Sequence, residues 1–277
     1  MAESHSLDSL FCIVSDFAYF YWPCDTAHAD GLIGLSMPRF YVDLPLSVGQ
    51  ALDLPESVAR HVQVLRMQPS ESLHLFNGQG GEYAAEITAM GKKTVSVQVL
   101  AFNDIDRESP LRITLVQAIS AADRMDYTVQ KAAELGVAVL QPVISQYCQQ
   151  RYSGERAEKR MAHWQGIAAS AAEQCGRTRL LEIRPILTLA QFLASGDESE
   201  LKLLLCPTGA VAWSTLPQSV KSVSVLIGPE GGYSAEEDIL SVLAGYTSVL
   251  IGPRILRTES VAPVIAGLLQ ARYGDFL

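Results

Sequence analysis

Between Val223 and Ser260 the chain states one pattern twice: V-S-V-L-I-G-P-E-G-G-Y-S-A-E-E, then V-L-I-G-P-R-I-L-R-T-E-S. In each copy a β-branched apolar run, Val223–Ile227 and then Ser248–Ile251, stops at Gly-Pro. Such runs are too short for a helix and end at a breaker, so each reads as a buried strand. After the first, Gly228 and the Gly231–Gly232 pair admit backbone angles that other residues resist, which lets main-chain N–H groups approach a ligand closely. Ser234 then reads as a helix N-cap, with Glu237 completing a capping box. After the second copy, Thr258 reads as the N-cap of a helix over Val261–Gln270, with Glu259 in its first turn. Open α/β sheets bind ligands in the loops at the carboxyl ends of their strands. Two adjacent loops of this kind make a cofactor pocket out of backbone, and Cys206-Pro207-Thr208-Gly209, after the apolar run Leu201–Leu205, adds a third.

The residues before these loops alternate in the same register. Leu111–Ala118 reads as a buried strand, and Asp123–Leu135 as a helix with Met125, Val129, Ala132 and Ala133 inward and Gly136 at its C-terminal stop. Val137–Val143 is the next strand, and Ser153 opens a long helix through Cys175, closed by Gly176. This alternation predicts an α/β domain on a largely parallel sheet over residues 109–277. A conventional dinucleotide-type turn would put glycines after the first strand, but Ile119–Asp123 has none, so the late loops must hold the site. The polar stretch Asn103–Pro110 is the linker.

Residues 37–108 read as a small β-rich domain. Phe40–Asp43 is a strand, and Pro55–Leu65 a short helix with Val58, Val62 and Leu65 on one face. Ser72–Phe76 and Glu82–Ile87 form a hairpin around Asn77-Gly78-Gln79-Gly80-Gly81, and Val95–Phe102 closes a compact barrel after the Gly91-Lys92-Lys93 turn. Arg39, Arg66, Lys92 and Lys93 are candidate RNA contacts. For each alone, a solvated surface base explains it equally well; Lys92-Lys93 at a hairpin tip beside Arg39 tilts toward phosphate binding.

Bulk charge narrows the partner. The net charge is −9, and residues 1–36 carry Glu3, Asp8, Asp16, Asp25 and Asp30 with no Lys or Arg. The remainder is near balance, which favours a specific polyanionic partner over a general one. No run approaches the roughly eighteen apolar residues that span a membrane. The five cysteines, Cys12, Cys24, Cys148, Cys175 and Cys206, are scattered without a C-x-x-C, which fits a reducing cytoplasm and argues against a disulfide framework or a metal site.

Further residues carry candidate chemistry. Lys131 and Glu134, three apart on one helix, are placed to pair, and Lys131 is a candidate RNA contact. In Glu173-Gln174-Cys175-Gly176-Arg177 a helix end presents hydrogen-bonding groups and positive charge, so Gln174 and Arg177 read as substrate-facing. Cys175 lacks an activating histidine nearby and reads as packing. Arg257 lies where an ordinary turn needs no guanidinium; it reads as holding an RNA phosphate or stabilising developing negative charge. Glu230 reads equally as a cap for a neighbouring loop or as a contact to cofactor polar groups.

The pair L-I-G-P-E-G-G-Y-S-x-E-E and I-G-P-R-I-L-R-T-E-S resembles the knotted SPOUT class of methyltransferases, and more closely the bacterial ribosomal RNA small subunit methyltransferase E family. Ile251 stands where that pattern has Leu, and Ser260 where it has Thr. The resemblance spans residues 38–277. It implies a PUA-like RNA-binding β-barrel followed by a trefoil-knotted α/β domain that acts as a homodimer. It also implies S-adenosyl-L-methionine held by Leu205, Cys206, Pro207, Ile227, Gly228, Glu230, Gly231, Gly232, Ile251, Gly252, Leu256 and Thr258. The implied reaction is methylation of N3 of a uridine in 16S RNA, on assembled small subunits. Glu173 or a water is left as the acceptor of the N3 proton. Met37-Pro38-Arg39-Phe40-Tyr41 resembles the family's start, so translation beginning at Met37, or a poorly ordered leader over 1–36, is the expectation. Rival readings are a related enzyme acting on another RNA position or a ribose 2′-OH, a non-enzymatic assembly factor, and a small-molecule α/β enzyme.

Overall fold

The computed structural model describes residues 37–206 and 210–276. The expectations for residues 1–36 and for Pro207 lie outside the described residues.

The first sheet is built from β1 (Arg39–Tyr41), β2 (Ala51–Asp53), β3 (Ser72–Phe76), β4 (Glu82–Met90) and β5 (Val95–Asn103), with helix α1 (Glu56–Val64) between β2 and β3. The strand order is β1-β3-β4-β5-β2, with β1 parallel to β3 and every other pair antiparallel. This is an open path of five strands, and among the described residues no β1–β2 ladder closes it, where the sequence suggested a closed barrel. Phe40, Val58, Val62, Leu73, Leu75, Ile87 and Val97 fill its core. Leu65 does not join the buried face of α1, because the helix ends at Val64 and the chain turns through Arg66 at φ +59°.

The second sheet follows the expected alternation. Its elements are β6 (Arg112–Ala118), α2 (Ala122–Glu134), β7 (Val139–Ile144), α3 (Gly154–Cys175), β8 (Glu182–Ile183), β9 (Leu187–Thr188) and α4 (Leu189–Ala194), then β10 (Leu201–Leu205), β11 (Ser222–Ile227), α5 (Ala235–Leu243), β12 (Thr247–Val249) and α6 (Thr258–Tyr273). Every pairing is parallel, in the order β12-β10-β11-β6-β7-β8, with β9 also on β7. The central strands are buried on both faces and mostly apolar, as a sheet covered by helices on each side requires. Gly136 (φ +71°) and Gly176 (φ +88°) end α2 and α3 in the left-handed conformation that the sequence anticipates.

A polar seam joins the two sheets at the C-terminal end of α3. Arg39 donates from Nε to Glu82 at 2.9 Å, and from its other nitrogens to the carbonyls of Ala172, Glu173 and Arg177. Tyr41 N–H donates to Glu173 Oε1 at 2.8 Å. Arg177, buried to 5 % exposure, grips Glu108 through Nε and Nη2 while Nη1 donates to the carbonyls of Ala133 and Val137. Three site assignments change accordingly. Arg39 and Arg177 have their guanidinium groups spent on internal carbonyls and carboxylates, so neither is a substrate contact. Glu173 is held in the seam as an acceptor for Tyr41, and burial pushes its carboxyl up despite that bond and the nearby Arg39. Nor is Arg39 beside the lysine turn, since it pairs across β3 at the level of Ala84, six residues along β4 from the turn at Met90, or about 20 Å.

Glu82 has a side chain only 4 % exposed. Removing one partner of a buried pair leaves an uncompensated charge, so Arg39→Ala is expected to lower the unfolding free energy by about 3 kcal/mol. Chemical denaturation measures this as a reduced midpoint, while Arg66→Ala, on an exposed residue, leaves it unchanged.

Candidate active site

The order β12-β10-β11 sets the carboxyl ends of three parallel strands side by side. The loops leaving them enclose a cleft of about 880 Å³, lined by Leu205, Cys206, Ile227–Gly232, Val249–Thr258 and Val261, with Tyr233, Asp238 and Arg124 at its walls. All the cofactor-binding candidates except Pro207 line this one cleft. Its size suits a ligand of nucleoside dimensions.

A hydrogen-bond chain fixes the two Gly-Pro loops to one another. Thr258 Oγ1 donates to the Gly228 carbonyl at 2.8 Å and accepts from Gln117 Nε2 at 3.1 Å. The sequence reading made Thr258 the N-cap, but Arg257 occupies that position, without a side-chain cap, and Thr258 is the first helical residue. Its hydroxyl is therefore free to cross to the other loop. By contrast, Ser234 and Glu237 do form the expected reciprocal capping box, and Glu237 also accepts from Gln146 N–H at 2.8 Å.

The glycines act in two ways. Among the described residues of these loops, Gly232 (φ +72°) and Gly252 (φ +88°) sit in the left-handed region. Gly228 and Gly231 sit where space is tight: a Cβ on Gly228 would lie 3.2 Å from the Gly232 backbone, and one on Gly231 would lie 3.1 Å from Tyr147 Cβ. The phenol of Tyr233 donates to the Ile227 carbonyl at 3.0 Å, bracing the loop from beneath.

Glu230 anchors the first loop to α2. Its Oε1 accepts from Ala121 N–H at 3.2 Å and from Arg124 Nη1 at 2.7 Å, and Arg124 also lies 3.7 Å from Glu259. Burial alone would raise the carboxyl, but bonds from its own N–H, Ala121 and Arg124 outweigh that and hold it below the ordinary range. Of the two readings of Glu230, the loop cap is the one the geometry carries. Asp238 is the other carboxylate at the cleft; it forms no ion pair among the described residues, lies 3.9 Å from Cys206 Sγ, and has its carboxyl raised by burial. Arg124, Asp238 and Tyr233 were not anticipated, and Arg254 and Ile255 lie in the expected loop without having been singled out. The only signal for Asp238 was its place in the first turn of the capped helix α5.

The remaining candidates are dispersed. Arg257 lies exposed at the cleft and, among the described residues, neither its guanidinium nor that of Arg254 has an ion-pair or hydrogen-bond partner. Lys131 pairs with Glu134 at 2.7 Å over the Tyr127 ring. Lys92 and Lys93 are exposed in the β4–β5 turn, Lys93 3.6 Å from Glu56, while Gln174 and Arg66 are exposed elsewhere. None of these five lines the cleft. Cys175 is buried enough that its thiol is pushed up, consistent with packing. Among the described residues no helix is long and apolar enough to cross a membrane, and no cluster of metal-ligating side chains occurs.

Residues 107–270 match the RNA methyltransferase domain model, and residues 54–100 the RNA methyltransferase PUA domain model. Ribosomal RNA small subunit methyltransferase E of Buchnera aphidicola subsp. Schizaphis graminum is 32% identical over 240 residues, covering 86% of this chain and 98% of the relative. The Bacillus subtilis protein of the same name is 29% identical over 83% of this chain and 94% of its own length. Two solved structures are 40% identical and cover 87% of this chain and 100% of theirs. One is a methyltransferase of Legionella pneumophila in complex with SAM, at a TM-score of 0.84. The other is ribosomal RNA small subunit methyltransferase E of Neisseria gonorrhoeae bound to S-adenosyl methionine, at 0.82.

Two outcomes follow from the loop anchors. Thr258→Val removes the hydroxyl that joins buried Gln117 to the Gly228 carbonyl, so a loss of about 1 kcal/mol is expected in thermal or chemical unfolding. Glu230 has a native pKa below its ordinary 4.5, so its contribution is fully present above that value and disappears as pH falls through the lower native one. The stability difference between wild type and Glu230→Gln, followed from about pH 7 to about pH 3, is therefore expected to shrink on acidification.

Proposed function

The chain belongs to the ribosomal RNA small subunit methyltransferase E family, and from that premise we propose that it methylates N3 of a specific uridine in 16S RNA, with S-adenosyl-L-methionine as methyl donor. The observation that carries this reading is the convergence of the carboxyl ends of β10, β11 and β12 on one cleft, whose two Gly-Pro loops are joined by Thr258 and which is bordered by an arginine side chain without an internal partner. The residues fit the donor. Apolar walls from Leu205, Ile227, Ile251 and Leu256 suit a purine, the small residues of the Gly-Pro loops leave main chain accessible, and Asp238 supplies negative charge against a cationic ligand. When bound, the donor supplies a sulfonium-activated methyl group, and the protein's task is orientation and charge.

Arg257 is assigned the substrate side. Its guanidinium, without an internal partner, holds a phosphate or stabilises negative charge on the uracil as N3 is deprotonated. Glu173 is engaged by Tyr41 in the seam and does not line the cleft, so the N3 proton passes to water. N3 lies on the Watson–Crick edge, so the uridine must be unpaired or turned out of its stack when it reacts. The first sheet carries Lys92 and Lys93 as backbone-binding bases, and Lys131, Gln174 and Arg66 remain candidate contacts to RNA. A chain of net charge −9 suits a large, defined substrate such as an assembled small subunit in the cytoplasm better than naked RNA. On this reading residues 37–108 are the RNA-binding domain and 109–277 the catalytic domain. The trefoil knot runs through the β10–β12 loops, and two copies of the chain form the working enzyme.

Labelled donor, small subunits from a strain lacking the endogenous activity, and reverse transcription test the reading together. Methyl transfer with a reverse-transcription stop at one uridine is expected, falling at least roughly a hundredfold in Arg257→Ala with donor affinity retained. Transfer without a stop would move the product to a ribose or another base edge. An absence of donor binding would overturn the enzyme reading.

A further inference from the structure

Ile255 is 97% exposed, the most exposed large hydrophobic side chain among the described residues, and it lines the cleft. An isoleucine left wholly in water forfeits the stabilisation of burial, so its position calls for an account. Its loop is braced at both ends. Cys206 N–H donates to the Val249 carbonyl and Val211 N–H to that of Ser248, while Ser260 and Val261 N–H groups both donate to the Arg257 carbonyl. Pro253 and the left-handed Gly252 limit the turn before it. The side chain is thus presented by a constrained backbone. On either side of it stand Arg254 and Arg257, exposed and unpartnered, and no carboxylate occurs from Leu250 through Thr258.

We propose that Ile255 is the wedge that keeps the target uridine out of its stack: it occupies the space vacated between neighbouring bases while Arg254 and Arg257 hold the phosphates on either side. The inference rests on the reading of this cleft as a uridine methyltransferase site and adds to it a positioning residue. Apolar wedges between base steps are a general device of proteins that distort nucleic acids, and chemistry on a Watson–Crick edge demands such a displacement. A second copy of the chain covering Ile255 is the competing account, but the paired arginines without any acid favour a polyanion.

The test compares wild type, Ile255→Ala and Ile255→Met in single-turnover methylation of small subunits, with donor affinity and oligomeric state measured in parallel. A second substrate carries an abasic residue on each side of the target, which weakens stacking on the RNA side. Ile255→Ala is expected to slow transfer roughly tenfold or more on native subunits, with donor binding and oligomeric state unchanged. Ile255→Met is expected to retain the rate, and the weakly stacked substrate to restore much of the alanine variant's loss. A purely structural role would not respond to that change in the RNA. Equal rates for wild type and Ile255→Ala, a defect of the same size on both substrates, or a change in oligomeric state would each overturn the wedge. If wild type itself binds donor but methylates neither substrate, the uridine reading fails and the wedge falls with it; transfer by wild type with an indifferent alanine variant removes the wedge alone.

Discussion

The hydroxyl of Thr258 joins what the chain separates by some thirty residues. It donates to the Gly228 carbonyl in the loop after β11 and accepts from Gln117 at the end of β6, so one atom ties the two Gly-Pro loops to each other and to β6. The cleft depends on this spacing because both loops line it, and the bond fixes one against the other. Glu230 performs the matching task on the other side, clamping the first loop onto α2 through Ala121 and Arg124. The site is thereby preorganised by groups that need not touch a ligand themselves. This is the arrangement expected where catalysis is chiefly orientation.

The seam around the end of α3 extends that rigidity to the first sheet. Glu82 is nearly buried and faces Arg39, with His74 and Arg107 within 3.7 Å, while buried Arg177 and half-buried Glu108 form a second pair in the same seam. Ion pairs of this kind are costly to desolvate and become favourable only when their remaining donors and acceptors are filled. Here they are filled by the carbonyls at the ends of α2 and α3. A sheet bearing exposed lysines is thus fixed relative to the cleft rather than tethered by a loose linker. An RNA bound to one would be presented to the other at a defined distance.

The cleft also separates its charges. Arg124 is neutralised between Glu230 and Glu259, and Asp238 stands alone on the α5 side, whereas Arg254 and Arg257 lie without partners on the outer loop. Negative charge thus lines the inner wall and positive charge the rim. A cationic donor within and a polyanion outside is the pairing that this distribution favours.

Much of the architecture was legible in the residues because local physics determined it. The Ser234–Glu237 box, the stops at Gly136 and Gly176, the strands Ser72–Phe76 and Leu201–Leu205, and the parallel α/β alternation all follow from caps, φ angles and periodicity, which act over a few residues. The cofactor loops were legible for the same reason: Gly-Pro after an apolar run is a local signal. What only the tertiary structure decided was the partner of each polar side chain. Arg39 and Arg177 look like any surface base in sequence, yet they are consumed by carbonyls brought from more than a hundred and from about forty residues away, respectively. Thr258 looks like a cap, yet its acceptor lies in another loop. Asp238 carries no local mark of the cleft it lines, and nothing in the sequence shows that Ile255, within its loop, is left exposed. A hydrogen bond or ion pair is satisfied by whichever group the fold brings within about 3 Å, and sequence spacing holds no record of that distance.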